Sequence, residues 1–125
     1  MDDAREVLRQ LKKAKAPHRT LDIAIGLFVG YKKHIDEQAP PPPQGKEPKY
    51  YFTDPSGQMM KIPDYTRNLD EARKVAEFLM YGVPIAFSWK EEIYSAQLFN
   101  GPKVEAPDPA LAVCTAAFEA YVMRI

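Results

Sequence analysis

Residues 69–124 read LDEARKVAEFLMY (69–81), VPIAFSWKEEIYSAQLF (83–99) and PALAVCTAAFEAYVMR (109–124), with Gly82 and a short turn segment between them. These segments carry the clearest signals of the fold class. The first and last segments repeat apolar residues at helical spacing. Asn68 and Glu71 form a capping box before the first helix, and Asp108 with Pro109 supplies an N-cap and a first-turn proline for the last one. The stretch therefore predicts a helix, a strand pair and a second helix.

The strand pair is rich in aromatic residues. Ile85, Phe87 and Trp89 alternate with small or polar residues, so they share one face of a strand, which we expect to be core. Residues 93–99 read as the antiparallel neighbour, and large groups on both of its sides indicate a sheet covered on both faces. The alternative for Trp89, with Phe87 and Tyr94, is a stacking platform for single-stranded nucleic acid beside Lys90.

The first half of the chain predicts two helices, a loop and a hairpin. Asp2 or Asp3 caps a helix over 3–14, and Thr20 caps an almost wholly apolar helix over 20–29 that we expect deep in the core. Pro40 to Pro43 lie in a loop over 35–48, which is a spacer or, as the alternative, a ligand for a partner's aromatic groove. Strands at 50–53 and 58–62 flank the turn Asp54 to Gly57.

These elements define one α+β domain over residues 1–125. It comprises an N-terminal helix extension (1–19), the Pro-rich loop (35–48) and the helix–hairpin–helix unit (64–125). The expected sheet is mainly antiparallel, with three or four strands at about 50–53, 58–62, 84–90 and 93–99, packed by helices at 3–14, 20–29, 69–81 and 109–124.

The composition is that of an ordinary globular protein, and it does not favour any particular activity. The chain is 46% apolar and 27% charged, and 17 Lys and Arg residues balance 17 Asp and Glu residues, so no overall field favours nucleic acid or an anionic membrane. The longest strongly apolar run, 23–29, is far shorter than the roughly 20 residues that span a bilayer. A charged start without a signal core and a single cysteine predict a cytoplasmic protein.

No set of residues converges on a known chemistry. His18 and His34 lack companions at metal-ligand spacing, and Cys114, on an apolar helical stripe, is expected to be a buried, inert thiol. Adjacent carboxylates lie at turns or termini, and no phosphate-binding or nucleophile motif occurs. We therefore predict no catalytic residues, no metal site, no cofactor and no enzyme activity.

Basic residues in the first half of the chain form the only other candidate site. Cations near the end of the first helix complement the helix dipole, and we take this as the first explanation of the cluster. The alternative is a nucleic-acid interface, in which His18 would join the candidate contacts Lys12, Lys13, Lys15, Arg19, Lys32 and Lys33.

Several ordered motifs resemble the phage ABA sandwich domain family, whose members are small phage and prophage proteins of unassigned function. They are DYTRNLDEA (64–72), the strand that carries Trp89, YSAQL (94–98) and EAPDPALAVCTAA (105–117), with LDIAI (21–25) similar to the family's opening helix. Arg67 and Asn68 depart from the small hydroxyl residues that are frequent there. The resemblance implies a three-layer α/β/α sandwich and a phage-encoded or prophage-derived protein of a bacterial host, and it brings no catalytic residues.

The expected function is that of an accessory protein that binds an unknown protein partner or itself, because a domain without evident chemistry commonly serves in interactions. Nucleic-acid binding through the basic first half is the alternative, and an enzyme of unknown class is a remote one. No membrane association is expected.

Overall fold

The computed structural model describes residues 4–98 and 101–123. The α+β class predicted from the sequence is confirmed. The elements in chain order are α1 (Ala4–Lys13), α2 (Arg19–Val29), β1 (Lys32–Ile35), β2 (Tyr50–Thr53), α3 (Leu69–Leu79), β3 (Ile85–Lys90), β4 (Ile93–Leu98), β5 (Val104–Ala106) and α4 (Pro109–Met123).

Helix α4 forms the centre of the molecule. Every residue from Ala110 to Phe118 is buried, and so is Ala120. The helix contacts α1 and α3 and also the strands β4 and β5. The sequence indicated a single apolar stripe that included Ile125, which lies outside the described residues. The alanines on the remaining sides let neighbouring elements approach closely, so α4 is buried all round.

The N-caps predicted at Asn68 and Asp108 form at the starts of α3 and α4, but the reciprocal half of the predicted capping box does not, because the N–H of Asn68 donates to the carbonyl oxygen of Asp64 and Glu71 accepts a bond from Lys74. Asp108 Oδ1 accepts hydrogen bonds from the backbone N–H groups of Ala110 and Leu111, at 3.0 and 3.2 Å. Asn68 accepts one from the N–H of Glu71 at 3.2 Å. These bonds satisfy first-turn donors that have no partner within the helix.

The strands form two antiparallel sheets instead of one. One sheet has the order β3-β4-β5, and the other contains only β1 and β2. The predicted strand over 58–62 is wrong, because this segment makes only an isolated bridge between Thr53 and Met59. The partner of β2 is β1, which was not predicted, since its four residues lie between a helix and the Pro-rich loop and show little alternation. The Pro-rich loop thereby connects the two strands of one hairpin.

The three-stranded sheet packs on α4 through one face only. Ala96 and Leu98 are buried against the helix side, whereas the opposite face presents exposed residues, namely Ala86, Ser88, Lys90, Ile93 and Gln97. The expectation that both faces are covered is therefore wrong for the described residues. A three-layer α/β/α order would require a helical layer on that open face, and the described part of the chain places none there.

Helix α2 is less buried than its apolar composition predicted. Four residues of the helix are buried, namely Leu21, Asp22, Ile25 and Gly26. The other residues of the helix are half-buried or exposed. Its N-cap is His18 and not Thr20, because Nδ1 of His18 accepts a hydrogen bond from the N–H of Thr20 at 3.0 Å. The helix ends, as predicted, at Gly30, whose left-handed φ of 119° suits a glycine.

Helix α1 belongs to the core. Its apolar side, formed by Val7, Leu8 and Leu11, is buried, and the helix contacts α4 and α2. The capping residues predicted for it, Asp2 and Asp3, lie outside the described residues. What the sequence presents as an N-terminal extension therefore packs against the central helix.

Candidate interaction surface

The basic residues of the predicted nucleic-acid interface do not form one surface of free cations. Lys12 Nζ lies 2.8 Å from Glu119 Oε2 on α4, and Arg19 Nη1 lies 2.9 Å from Asp64 Oδ1. Lys13 and Lys15 are exposed at the end of α1 and beyond it. The carboxylates beside Lys12 and Arg19 reduce the positive potential that a phosphate backbone would meet there.

Lys32 and Lys33 lie elsewhere, on β1. The ammonium group of Lys33 is 4.2 Å from the centre of the Tyr50 ring, in a cation–π contact. The neighbouring His34 stacks on Tyr51, with ring centres 5.0 Å apart, and its Nε2 is 2.8 Å from the Thr53 hydroxyl. These cross-strand contacts stabilise the pairing of β1 with β2. They account for the aromatic and basic residues of the two-stranded sheet without a ligand.

A buried polar cluster joins α2 to the segment before α3. Asp22 is only 3% exposed, and its Oδ1 accepts hydrogen bonds from the N–H and the hydroxyl of Thr66, at 2.8 and 2.7 Å. The Thr66 hydroxyl in turn accepts a bond from the N–H of His18 at 3.1 Å. All of these groups are satisfied internally, so the cluster is a structural connection between two segments that are distant in sequence.

Cys114 is buried on α4, as predicted. Its thiol donates a hydrogen bond to the carbonyl oxygen of Tyr65 at 3.3 Å. Burial raises the pKa of the Cys114 thiol, with smaller contributions from the charges of Asp22 and Asp108. A raised pKa disfavours the thiolate, which is the nucleophilic form. Among residues 4–98 and 101–123, no three His, Cys, Asp or Glu side chains are grouped as metal ligands.

On the face of the three-stranded sheet that packs on α4, the aromatic residues of β3 are incompletely covered. Trp89 is 67% exposed, so the prediction that it belongs to the core is wrong. Phe87 and Tyr94 are half-buried, with ring centres 6.3 Å apart, and Phe87 lies at the same distance from Trp89. We refer to Ile85, Phe87, Trp89 and Tyr94 as the aromatic edge.

The position of α4 explains this exposure. Cross-strand pairs place Ile85 opposite Leu98, Phe87 opposite Ala96 and Trp89 opposite Tyr94, so these side chains do share the face that packs on the helix. Helix α4, however, lies under β4 and β5, while β3 has β4 as its principal contact. Alternation in the sequence identified the correct face of β3, but it could not show how far the helix extends beneath the sheet.

The turn between β3 and β4 contains two acidic residues. Glu91 and Glu92 form the two-residue loop, and Glu91 has a φ of 56°, as the first position of a type II′ turn requires. Both are exposed beside Trp89 and Lys90. Their charges would repel phosphate groups, and this weakens the alternative that the aromatic edge stacks on single-stranded nucleic acid.

In comparison with known proteins, the chain matches no family model, no curated protein and no solved structure. In the described part of the chain, no helix combines the length and apolar character needed to cross a bilayer.

Proposed function

We propose that this chain is a protein-interaction module that binds through the aromatic edge. The single observation that carries the proposal is the 67% exposure of Trp89 on an edge strand beside two half-buried aromatic rings. Tryptophan and tyrosine contribute large contact areas at protein interfaces, and an apolar edge strand also offers unpaired backbone groups. Both features support contact with another polypeptide.

The proposal includes the biological setting indicated by the resemblance. We propose a cytoplasmic accessory protein of phage or prophage origin without catalytic activity. The motifs at 64–72 and 105–117 support this origin. Nucleic-acid binding is the less supported role, since Lys12 and Arg19 already contact carboxylates.

Site-specific photo-crosslinking tests the binding surface. A benzophenone side chain is introduced at position 89 or, as the matched control, at position 78 on α3, because Phe78 is 60% exposed and has nearly the same accessibility as Trp89. Irradiation in cells that express the chain should give protein adducts from position 89 and few from position 78. Equal adducts at the two positions, or none at 89, would contradict the proposal.

A further inference from the structure

Among residues 4–98 and 101–123, none pairs with one side of the β3 backbone. In the sheet order β3-β4-β5, β3 hydrogen bonds to β4 and has no other neighbour among the described residues. Lys90 and Ile93 flank the two-residue turn and therefore bond to each other. Because hydrogen-bonded and non-hydrogen-bonded pairs alternate along an antiparallel ladder, Ser88 and Ala86 also bond to β4. The N–H and C=O groups of Ile85, Phe87 and Trp89 point to the free edge.

We propose that this edge binds β3 of a second copy of the chain, antiparallel, around a two-fold axis at Phe87. The inference rests on the proposed function and names the partner. In this register Phe87 lies opposite Phe87 of the second copy, and Ile85 lies opposite Trp89 of the second copy. Each such pair exchanges two hydrogen bonds, so every outward-facing backbone group of these three residues is satisfied. A shift by two residues in either direction leaves one residue at the end of each strand unpaired.

The side chains of β3 are complementary to themselves in this register. The sequence Ile85-Ala86-Phe87-Ser88-Trp89 is large, small, large, small, large, and it keeps this pattern when read in reverse. Aromatic and β-branched residues then meet across the new strand pair on one face, and Ala86 meets Ser88 on the other. Such self-complementarity is what a two-fold symmetric interface requires.

The charges near the strand ends also permit this pairing. Lys90 would lie opposite Pro84 of the second copy, and Glu91 opposite Val83 of the second copy, so no like charges face each other. The Lys90 side chain is on the exposed face of the sheet, where it stays hydrated. One six-residue strand covers less than the roughly 800 Å² per partner of a standard interface, so the dimer is weak and reversible.

Cysteine trapping tests the register. Phe87→Cys places two thiols on residues whose Cα atoms would be about 5.5 Å apart, within the range that a disulfide accepts. Trp89→Cys is the matched control, because each copy lies two residues from the axis, so the two would be offset by four residues along the strands, or about 13 Å. Mild oxidation should give at least about tenfold more disulfide-linked dimer from Phe87→Cys than from Trp89→Cys. The native Cys114 is buried and does not compete.

A charge test avoids the loss of the Phe87 ring. Ile85→Lys/Trp89→Lys places like charges opposite each other in the dimer, whereas Ile85→Lys/Trp89→Glu places opposite charges there, and the two variants differ at one residue. Sedimentation equilibrium should give a dimer dissociation constant at least about tenfold higher for the Lys/Lys variant than for the Lys/Glu variant. Thermal denaturation of both variants checks that the chain remains folded.

The outcomes separate this inference from the proposed function. A wild-type chain that stays monomeric in concentrated solution, with equal trapping at positions 87 and 89, overturns the pairing of two copies. Adducts from position 89 to a different protein would then still support the interaction module. Stronger trapping with Ser88→Cys than with Phe87→Cys would place the axis at Ser88 and overturn the register.

Discussion

At the scale of single residues, the side chain of Thr66 connects segments that are distant in sequence through two hydrogen bonds. Its hydroxyl donates to Asp22 at 2.7 Å and accepts from the N–H of His18 at 3.1 Å, and all of this occurs where Asp22 has almost no access to water. Burial of a carboxylate away from water is unfavourable, and hydrogen bonds from nearby donors offset this cost. If one donor is removed, the cost of burial remains while part of the offsetting hydrogen-bond energy is lost. The hydroxyl thus connects α2 to the start of α3.

We therefore predict that Thr66→Val destabilises the protein by about 1–3 kcal/mol, since valine has the same shape but leaves Asp22 and the His18 N–H each without one partner. Urea denaturation followed by circular dichroism measures the change. Thr20→Val is the control, because Thr20 is exposed, and its effect should stay within about 0.5 kcal/mol. Equal destabilisation by the two substitutions would show that the buried hydroxyl has no special role.

The roles of some single residues could be predicted from the neighbouring sequence, and those of others could not. Asn68 and Asp108 were predictable as caps, because a cap depends on backbone donors within three residues of it. Thr66 and Asp22 are 44 residues apart, and no short pattern connects them. The prediction that Trp89 lies in the core failed for a related reason. The exposure of Trp89 depends on the position of a helix that begins twenty residues later in the chain.

At the scale of elements, Gly26 sets the distance between α2 and the segment after β2. A Cβ at this position would lie only 2.7 Å from Cγ2 of Ile62, and Ile62 is fully buried, so its side chain has little room to move away. Glycine lowers helix stability by about 1 kcal/mol relative to alanine, and close packing compensates for this here. The segment 58–62 thus serves the core through Ile62 instead of forming a strand.

Gly26→Ala should consequently destabilise the protein by about 1–3 kcal/mol, although alanine is the better helix former. Chemical denaturation of Gly26→Ala, Ile62→Ala and the double variant forms a thermodynamic cycle. The double variant should lose less stability than the sum of the single variants, because removal of the Ile62 side chain makes room for the new methyl group. Simple additivity, or stabilisation by Gly26→Ala alone, would contradict the close contact.

At the scale of the whole molecule, α4 determines which surfaces remain open. It contacts α1, α3, β4 and β5, and these contacts bury nearly all of its surface. The helix packs beneath β4 and β5 and makes little contact with β3, so the aromatic edge stays exposed. The element starts and the α+β class followed from local pattern, whereas this exposure follows from the arrangement of all the elements around one helix.

The same arrangement makes α1 part of the core. Leu11 and Val7 are buried where α1 packs against α4, and no other described element contacts that side of α1 as extensively. We predict that Leu11→Ala lowers the free energy of unfolding by about 2–5 kcal/mol, because it removes buried methyl groups and leaves a cavity beside the central helix. Lys13→Ala, on the exposed side of the same helix, should change it by less than about 0.5 kcal/mol. Urea denaturation monitored at 222 nm compares the two, and near-equal midpoints would mean that α1 is a dispensable extension rather than part of the core.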